Sequence, residues 1–316
     1  MDPLYSAKQQ SAALLSRASR HQIDAALKSP IIILSAPRSG STLLFEYLTR
    51  LQGTSWIGGE SHQVFRHFPQ LRVESAAMNS ASLNERHADP KCRQLFRDNM
   101  AYLLRDHQGQ SFIENPELFL NRTTQFIEKT PRNALNIPFL NKVFPDARFI
   151  FLHRKPQSNI ASIIEAWTLG LQTGRFMTFP KLPEWDRQGW CFLLPPGWRD
   201  LIGGSLAEIA SFQWRLSNQT IVDNLRQLPR ERYSIVSYEE ALTTPQATLN
   251  KLIDFIGIKN SISHKNFASE LSTTAITKPH HRKWEKHQSD IEPLLTTLST
   301  TLSSIELLTT FKKSTN

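Results

Sequence analysis

The chain switches repeatedly between two hydrophobic periods. Residues 31–34, Ile-Ile-Ile-Leu, form an unbroken apolar run, the pattern of a strand buried on both faces. From Leu43 to Leu51 the apolar positions take helical spacing. The same unit recurs. Residues 125–145 predict a strand, a polar turn and a helix stopped by Pro145, and residues 147–167 a strand, a basic turn and a helix. Residues 232–242 predict a further strand and turn, followed by a helix over 245–256. Between these lie a short strand, glycine turn and helix over 54–68, a helix over 93–107 and a long helix over 206–227. Strands alternating with helices predict an α/β fold with one parallel sheet flanked by helices. Residues 1–29 are expected to form a helical extension and residues 30–316 the domain proper.

One segment breaks the alternation. Residues 167–199 hold Trp167, Trp185, Trp190 and Trp198, four of the seven tryptophans, together with Pro180, Pro183, Pro195 and Pro196. A long proline-rich insertion inside a compact domain is usually functional. It is expected to act as a lid over an acceptor pocket, its aromatic character suiting an apolar or aromatic hydroxyl. The alternative is a packed loop pinned by its tryptophans.

Charge narrows the partners. The net charge is +9, yet the basic residues are scattered, and their one dense cluster is KPHHRKWEKH at 278–287. A polyanionic small molecule drawn into a cleft accounts for this excess better than nucleic acid does. No run of about 18 apolar residues exists, so no membrane span is expected. The first residues mix charge with short apolar steps and predict a helix, not a secretory signal. Two cysteines are too few for a disulfide framework or a zinc site. A cytoplasmic protein is the expectation, in which the sequons at Asn121 and Asn218 would stay unmodified.

The strand at 31–34 leads into Ser-Ala-Pro-Arg-Ser-Gly-Ser-Thr, residues 35–42. A loop at a strand's carboxyl end that feeds a helix points backbone N–H groups and the positive end of the helix dipole at an anion. Gly40 permits close backbone approach, Ser39, Ser41 and Thr42 add hydroxyls, and Arg38 adds a two-pronged donor. The loop is P-loop-like, but Ser35 and Ser41 replace the first glycine and the lysine of a Walker loop. The strand at 148–152 ends in His153 and Arg154 rather than in an aspartate that could hold magnesium.

APRSGSTLL followed by RFIFLHRKPQSNIAS resembles the two signature elements of the sulfotransferases that use 3′-phosphoadenylyl sulfate (PAPS). The likeness runs over about residues 30–290, and its nearest branch contains protein-tyrosine sulfotransferases and bacterial enzymes of unknown acceptor. The resemblance implies that Arg38, Ser39, Gly40, Ser41 and Thr42 hold the 5′-phosphosulfate, and that Arg154 and Ser162 hold the 3′-phosphate. It implies Glu60 of the GGESH turn as base, Lys129 of EKTPRN on the transferring group, and Tyr238 on the nucleotide. Arg282 or Lys283 would cover the 3′-phosphate. The turn reads Gly-Gly-Glu where the family has Gly-Glu-Glu, and other sulfotransferases use histidine, so His62 and His67 stand as alternative bases. The implied reaction moves a sulfuryl group to a hydroxyl or amine of a small molecule or peptide and releases 3′,5′-adenosine bisphosphate, with no metal. A P-loop kinase or triphosphatase with an altered loop, and a nucleotide-binding module without catalysis, are the other readings.

Overall fold

A computed structural model describes residues 2–121, 124–258 and 282–310. Its strands are β1 (Ile31–Leu34), β2 (Thr54–Trp56), β3 (Arg105–Asp106), β4 (Gln125–Lys129), β5 (Arg148–His153), β6 (Met177–Phe179), β7 (Trp190–Cys191) and β8 (Tyr233–Ser237). Six of them form one sheet in the order β3-β2-β4-β1-β5-β8. Five run parallel, and β3 lies antiparallel against β2 at the edge. Helices cover both faces. Along β1, Ile31 and Ile33 pack with the helices Ser41–Thr49 and Pro245–Ile256, while Ile32 and Leu34 face the larger core on the other side. A strand apolar at every position suits such a double burial.

Local chemistry sets the helix ends that shape the site. Pro156 occupies the first turn of the helix Pro156–Thr173, where its missing N–H costs nothing, and left-handed Gly174 closes it. Ser205 and Glu208 form a capping box at the start of the helix Leu206–Leu225. Helices Tyr5–Leu15 and Arg20–Ala26 bury Leu14 and Ile23 in the main core, and Arg20 pairs with the fully buried Asp98. The helix expected over 93–107 instead spans Pro90–Leu103. Asp89 accepts from the Lys91 and Cys92 amides and starts it early. Beyond it Leu104 is extended and buried, and the chain turns into β3.

Three of the four tryptophans of 167–199 are core. Trp167, Trp190 and Trp198 have no exposed surface, and Trp185 is half-buried against them, its ring centroid 4.9 Å from that of Trp190. Each indole N–H finds an acceptor: Gln213 Oε1 for Trp167, and the carbonyls of Gly189, Leu193 and Met78 for Trp185, Trp190 and Trp198. Burying four large amphipathic rings requires such partners. The segment is anchored by its aromatic rings. No helix among the described residues is long and apolar enough to cross a membrane.

Candidate active site

The loop after β1 is held in shape by the unit after β5. Arg38 and Gly40 both take left-handed backbone, at φ 61° and 92°. For arginine this costs on the order of 1–2 kcal/mol, so other contacts must impose it. Arg154 Nη1 donates to the Arg38 carbonyl at 3.1 Å. Asn159, fully buried, donates to the Pro37 carbonyl at 2.8 Å and accepts from Ser39 Oγ at 2.7 Å. Ser39 is thus a staple for the loop, its hydroxyl already committed. Gly40 is required by space as well as by φ, because a Cβ there would lie 2.4 Å from Cδ2 of Tyr238.

Two guanidinium groups flank this loop with like charge. Arg154 lies over the Tyr238 ring at 4.5 Å, and Arg38 over Phe176 at 5.2 Å. The Nε of each is buried and has no hydrogen-bond partner among the described residues. Burial lowers the pKa of both, and for Arg38 the charges of Arg154 and Arg175 lower it further. Buried donors left unpaired beside a like charge are costly. An anion bound between them would satisfy both, so the residues present fit a phosphate-bearing ligand.

Ser162 shares a cavity of about 380 Å³ with Arg38, Glu165, Leu169, Lys286 and His287. Lys286 reaches this cavity from the basic C-terminal segment and pairs with Glu165 Oε1 at 2.5 Å. Arg282 does not: its side chain is exposed and pairs with Glu285 at 2.7 Å. The short 3₁₀ turn Lys283–His287 brings Lys286 and His287 toward the helix Pro156–Thr173, while Arg282 stays in solvent. The side chain of Lys283, and residues 278–281, lie outside the described residues.

The second half of the site gathers around Glu60. Lys129, 5% exposed at the end of β4, donates to Glu60 Oε1 at 2.6 Å and to Thr42 Oγ1 at 3.2 Å. His62 Nε2 lies 2.9 Å from the other oxygen, Glu60 Oε2. Arg132 Nε donates to His62 Nδ1 at 3.1 Å. Burial works to raise the Glu60 pKa, but the His62 hydrogen bond and the Lys129 charge outweigh it and hold the carboxyl at about 2. Burial, with the charges of Arg132 and Lys129, lowers the pKa of His62 against the pull of Glu60. Burial also brings Arg132 down to about 10. His67 faces elsewhere, with Nδ1 3.1 Å from Oδ1 of the buried Asn99.

Arg38, Thr42, Glu60, Lys129, Arg154 and Tyr238 therefore belong to one constellation, with Ser162 one cavity away. Sequence reasoning passed over Asn159, Arg132 and Lys286. Asn159 lies in the first turn and a half of its helix, where a buried polar side chain faces the strand ends. Arg132 lies three residues beyond Lys129 in the same polar turn.

Residues 30–190, half of the chain, match the model of the Sulfotransferase family. No curated protein matches the sequence. Among solved structures, the sulfotransferase domain of the olefin synthase of Synechococcus PCC 7002 is 22% identical over 86% of this chain and 96% of that one, with a TM-score of 0.45. Sulfotransferase STF9 from Mycobacterium avium is 16% identical over 96% and 81%, with a TM-score of 0.48. Mouse sulfotransferase SULT7A1, complexed with PAP, is 14% identical over 94% and 96%, with a TM-score of 0.42. By the family match over the phosphate loop, the Glu60 turn and the β5 element, the chain belongs to the sulfotransferase family.

Proposed function

We propose that this protein transfers a sulfuryl group from PAPS to an acceptor hydroxyl or amine and releases 3′,5′-adenosine bisphosphate. The observation that carries this reading is the position of Lys129. Its ammonium bridges a hydroxyl of the phosphate loop and the Glu60 carboxylate, so a cation, a base and an anion cradle meet at one point.

In this reading the donor's phosphates answer the unpaired Nε groups of Arg38 and Arg154, and its 3′-phosphate reaches the cavity of Ser162 and Lys286. Lys129 and Arg38 stabilise the charge that develops on the bridging oxygen as the bond to sulfur breaks. Glu60 takes the acceptor proton. A carboxylate with a pKa of about 2 is a weak base while Lys129 holds it. Once the ammonium turns toward the donor, Glu60 loses that partner and its basicity rises toward the ordinary range. His62 is poorly placed for the role. With Nδ1 accepting from Arg132, Nε2 carries the proton and donates it to Glu60, which leaves no free lone pair.

The test is incubation of the protein with PAPS and fractionated extract, in the presence of EDTA, followed by mass spectrometry. An acceptor that gains a sulfuryl group in step with release of 3′,5′-adenosine bisphosphate is expected. Untouched PAPS beside magnesium-dependent cleavage of ATP would instead support phosphoryl transfer.

A further inference from the structure

The base is approached from two directions by one short stretch of chain. In Glu128–Asn133, Lys129 touches Glu60 directly. On one flank, Thr130 Oγ1 accepts from the Ser61 amide at 2.8 Å and lies 3.0 Å from Ser61 Oγ. Thr130 in turn donates to Glu128 Oε1 at 2.6 Å, and Asn133 Nδ2 donates to Glu128 Oε2 at 2.5 Å. On the other flank, Arg132 reaches Glu60 through His62. Strand alternation explains the division: Lys129 points to the helix Ser41–Thr49, and Glu128 and Thr130 to the opposite side.

We propose that residues 128–133 form a clamp that aims Glu60, with Arg132 and Glu128 as positioning residues for sulfuryl transfer. The proposal rests on Glu60 being the base. Glu128 is 2% exposed, and both its oxygens are taken by residues of its own segment. A buried carboxyl is expensive unless its hydrogen bonds are made. Here they fix Thr130, and through Thr130 the backbone amide next to Glu60. Arg132 does the corresponding work on the side chain. By occupying Nδ1 of His62 it selects the tautomer that donates to Glu60, and its charge adds to burial in lowering the pKa of that ring. The groups facing His62 are Glu60 from its own turn and Arg132 and Lys129 from the clamp. Arg66 adds a further positive charge near Arg132.

The experiment uses the full chain in two readouts. The first is ¹⁵N NMR of the His62 ring in wild type and Arg132→Met. Wild type is expected to show a bare Nδ1 and a protonated Nε2, neutral through the physiological range. In Arg132→Met, His62 is expected to take up a second proton as the pH falls through that range. The second is turnover of PAPS with the acceptor fraction that supports it. Arg132→Met should lower kcat about 10- to 100-fold, the scale of a slightly misaimed base, with affinity for 3′,5′-adenosine bisphosphate held within about twofold. Its loss should deepen at acid pH, because a protonated His62 binds Glu60 more tightly. Arg132→Lys should recover part of kcat. His62→Gln, whose amide still donates, should keep more activity than His62→Leu. A protonated Nδ1 in wild type, or a His62 titration and kcat unchanged by Arg132→Met, would overturn the clamp. Normal kcat in Glu60→Gln, with equal collapse of both His62 variants, would instead overturn Glu60 as base. Should Arg132→Met fail to fold, the wild-type tautomer and the two His62 variants still decide.

Discussion

The two halves of the site are built on opposite electrostatic plans. Around the phosphate loop, Arg38 and Arg154 crowd together, supported by aromatic rings and with buried Nε groups left without partners among the described residues. Around the Gly-Gly-Glu turn, the polar groups are paired: Glu60 with Lys129 and His62, and Arg132 Nε with the neutral His62 ring. The first half is incomplete without an anion. The second is complete without a substrate. Affinity for the nucleotide should therefore reside in the arginine half, and control of the proton in the carboxylate half. Lys129 is the side chain that touches both.

Substitutions in the two halves should separate these functions. The largest effect is expected from Glu60→Gln, which keeps shape and removes basicity. Turnover should fall about 10²- to 10⁴-fold, the usual consequence of losing a general base, while nucleotide affinity stays within about twofold by calorimetry. Equal losses in both quantities would break the division. Next comes Arg154→Ala. Loss of a charged hydrogen-bond donor should cost about 1.5–3 kcal/mol of binding to 3′,5′-adenosine bisphosphate. A titration series should place that loss in Kd, and an unchanged Kd would move the anion site away from Arg154. The smallest effect concerns acid stability. Glu60 ionises at about 2 in the folded protein against an ordinary 4.5. A depressed folded pKa means that its contribution is present above about pH 4.5 and is lost as the pH falls toward 2. The thermal midpoint of wild type should accordingly drop more steeply across that window than that of Glu60→Gln. Parallel curves would show that the carboxylate is not held as described.

The same contrast marks how far the sequence could be read. The arginine half is local. An apolar strand runs straight into Pro-Arg-Ser-Gly-Ser-Thr, and a second strand into His-Arg-Lys-Pro, so period and turn chemistry place both at strand ends. What local pattern could not show is that Asn159 fastens the loop across 122 residues, or that Ser39 is spent on that contact. The carboxylate half is long-range. Glu60 and Lys129 are 69 residues apart in sequence and meet because β2 and β4 pair in parallel. Their choice as site residues came from family likeness alone. The departures have physical causes. Composition could not distinguish a ring over a pocket from one in a core, so the burial of Trp167, Trp190 and Trp198 became visible only in the fold. The end of the 93–107 pattern became an edge strand because Leu104 buries in the extended conformation. In the C-terminal basic segment, family likeness named Arg282 or Lys283, and the fold adds Lys286, which shares a cavity with Ser162.

The claim that the arginine half is a donor site for a nucleotide with both 3′- and 5′-phosphates is tested most directly by calorimetric titration of the wild-type protein. The ligands are 3′,5′-adenosine bisphosphate and 5′-AMP in the same buffer. The account predicts that the bisphosphate binds at least about tenfold more tightly, the equivalent of roughly 1.4 kcal/mol, because its second phosphate reaches the cavity of Arg38, Ser162 and Lys286. Equal affinity for the two nucleotides would contradict it.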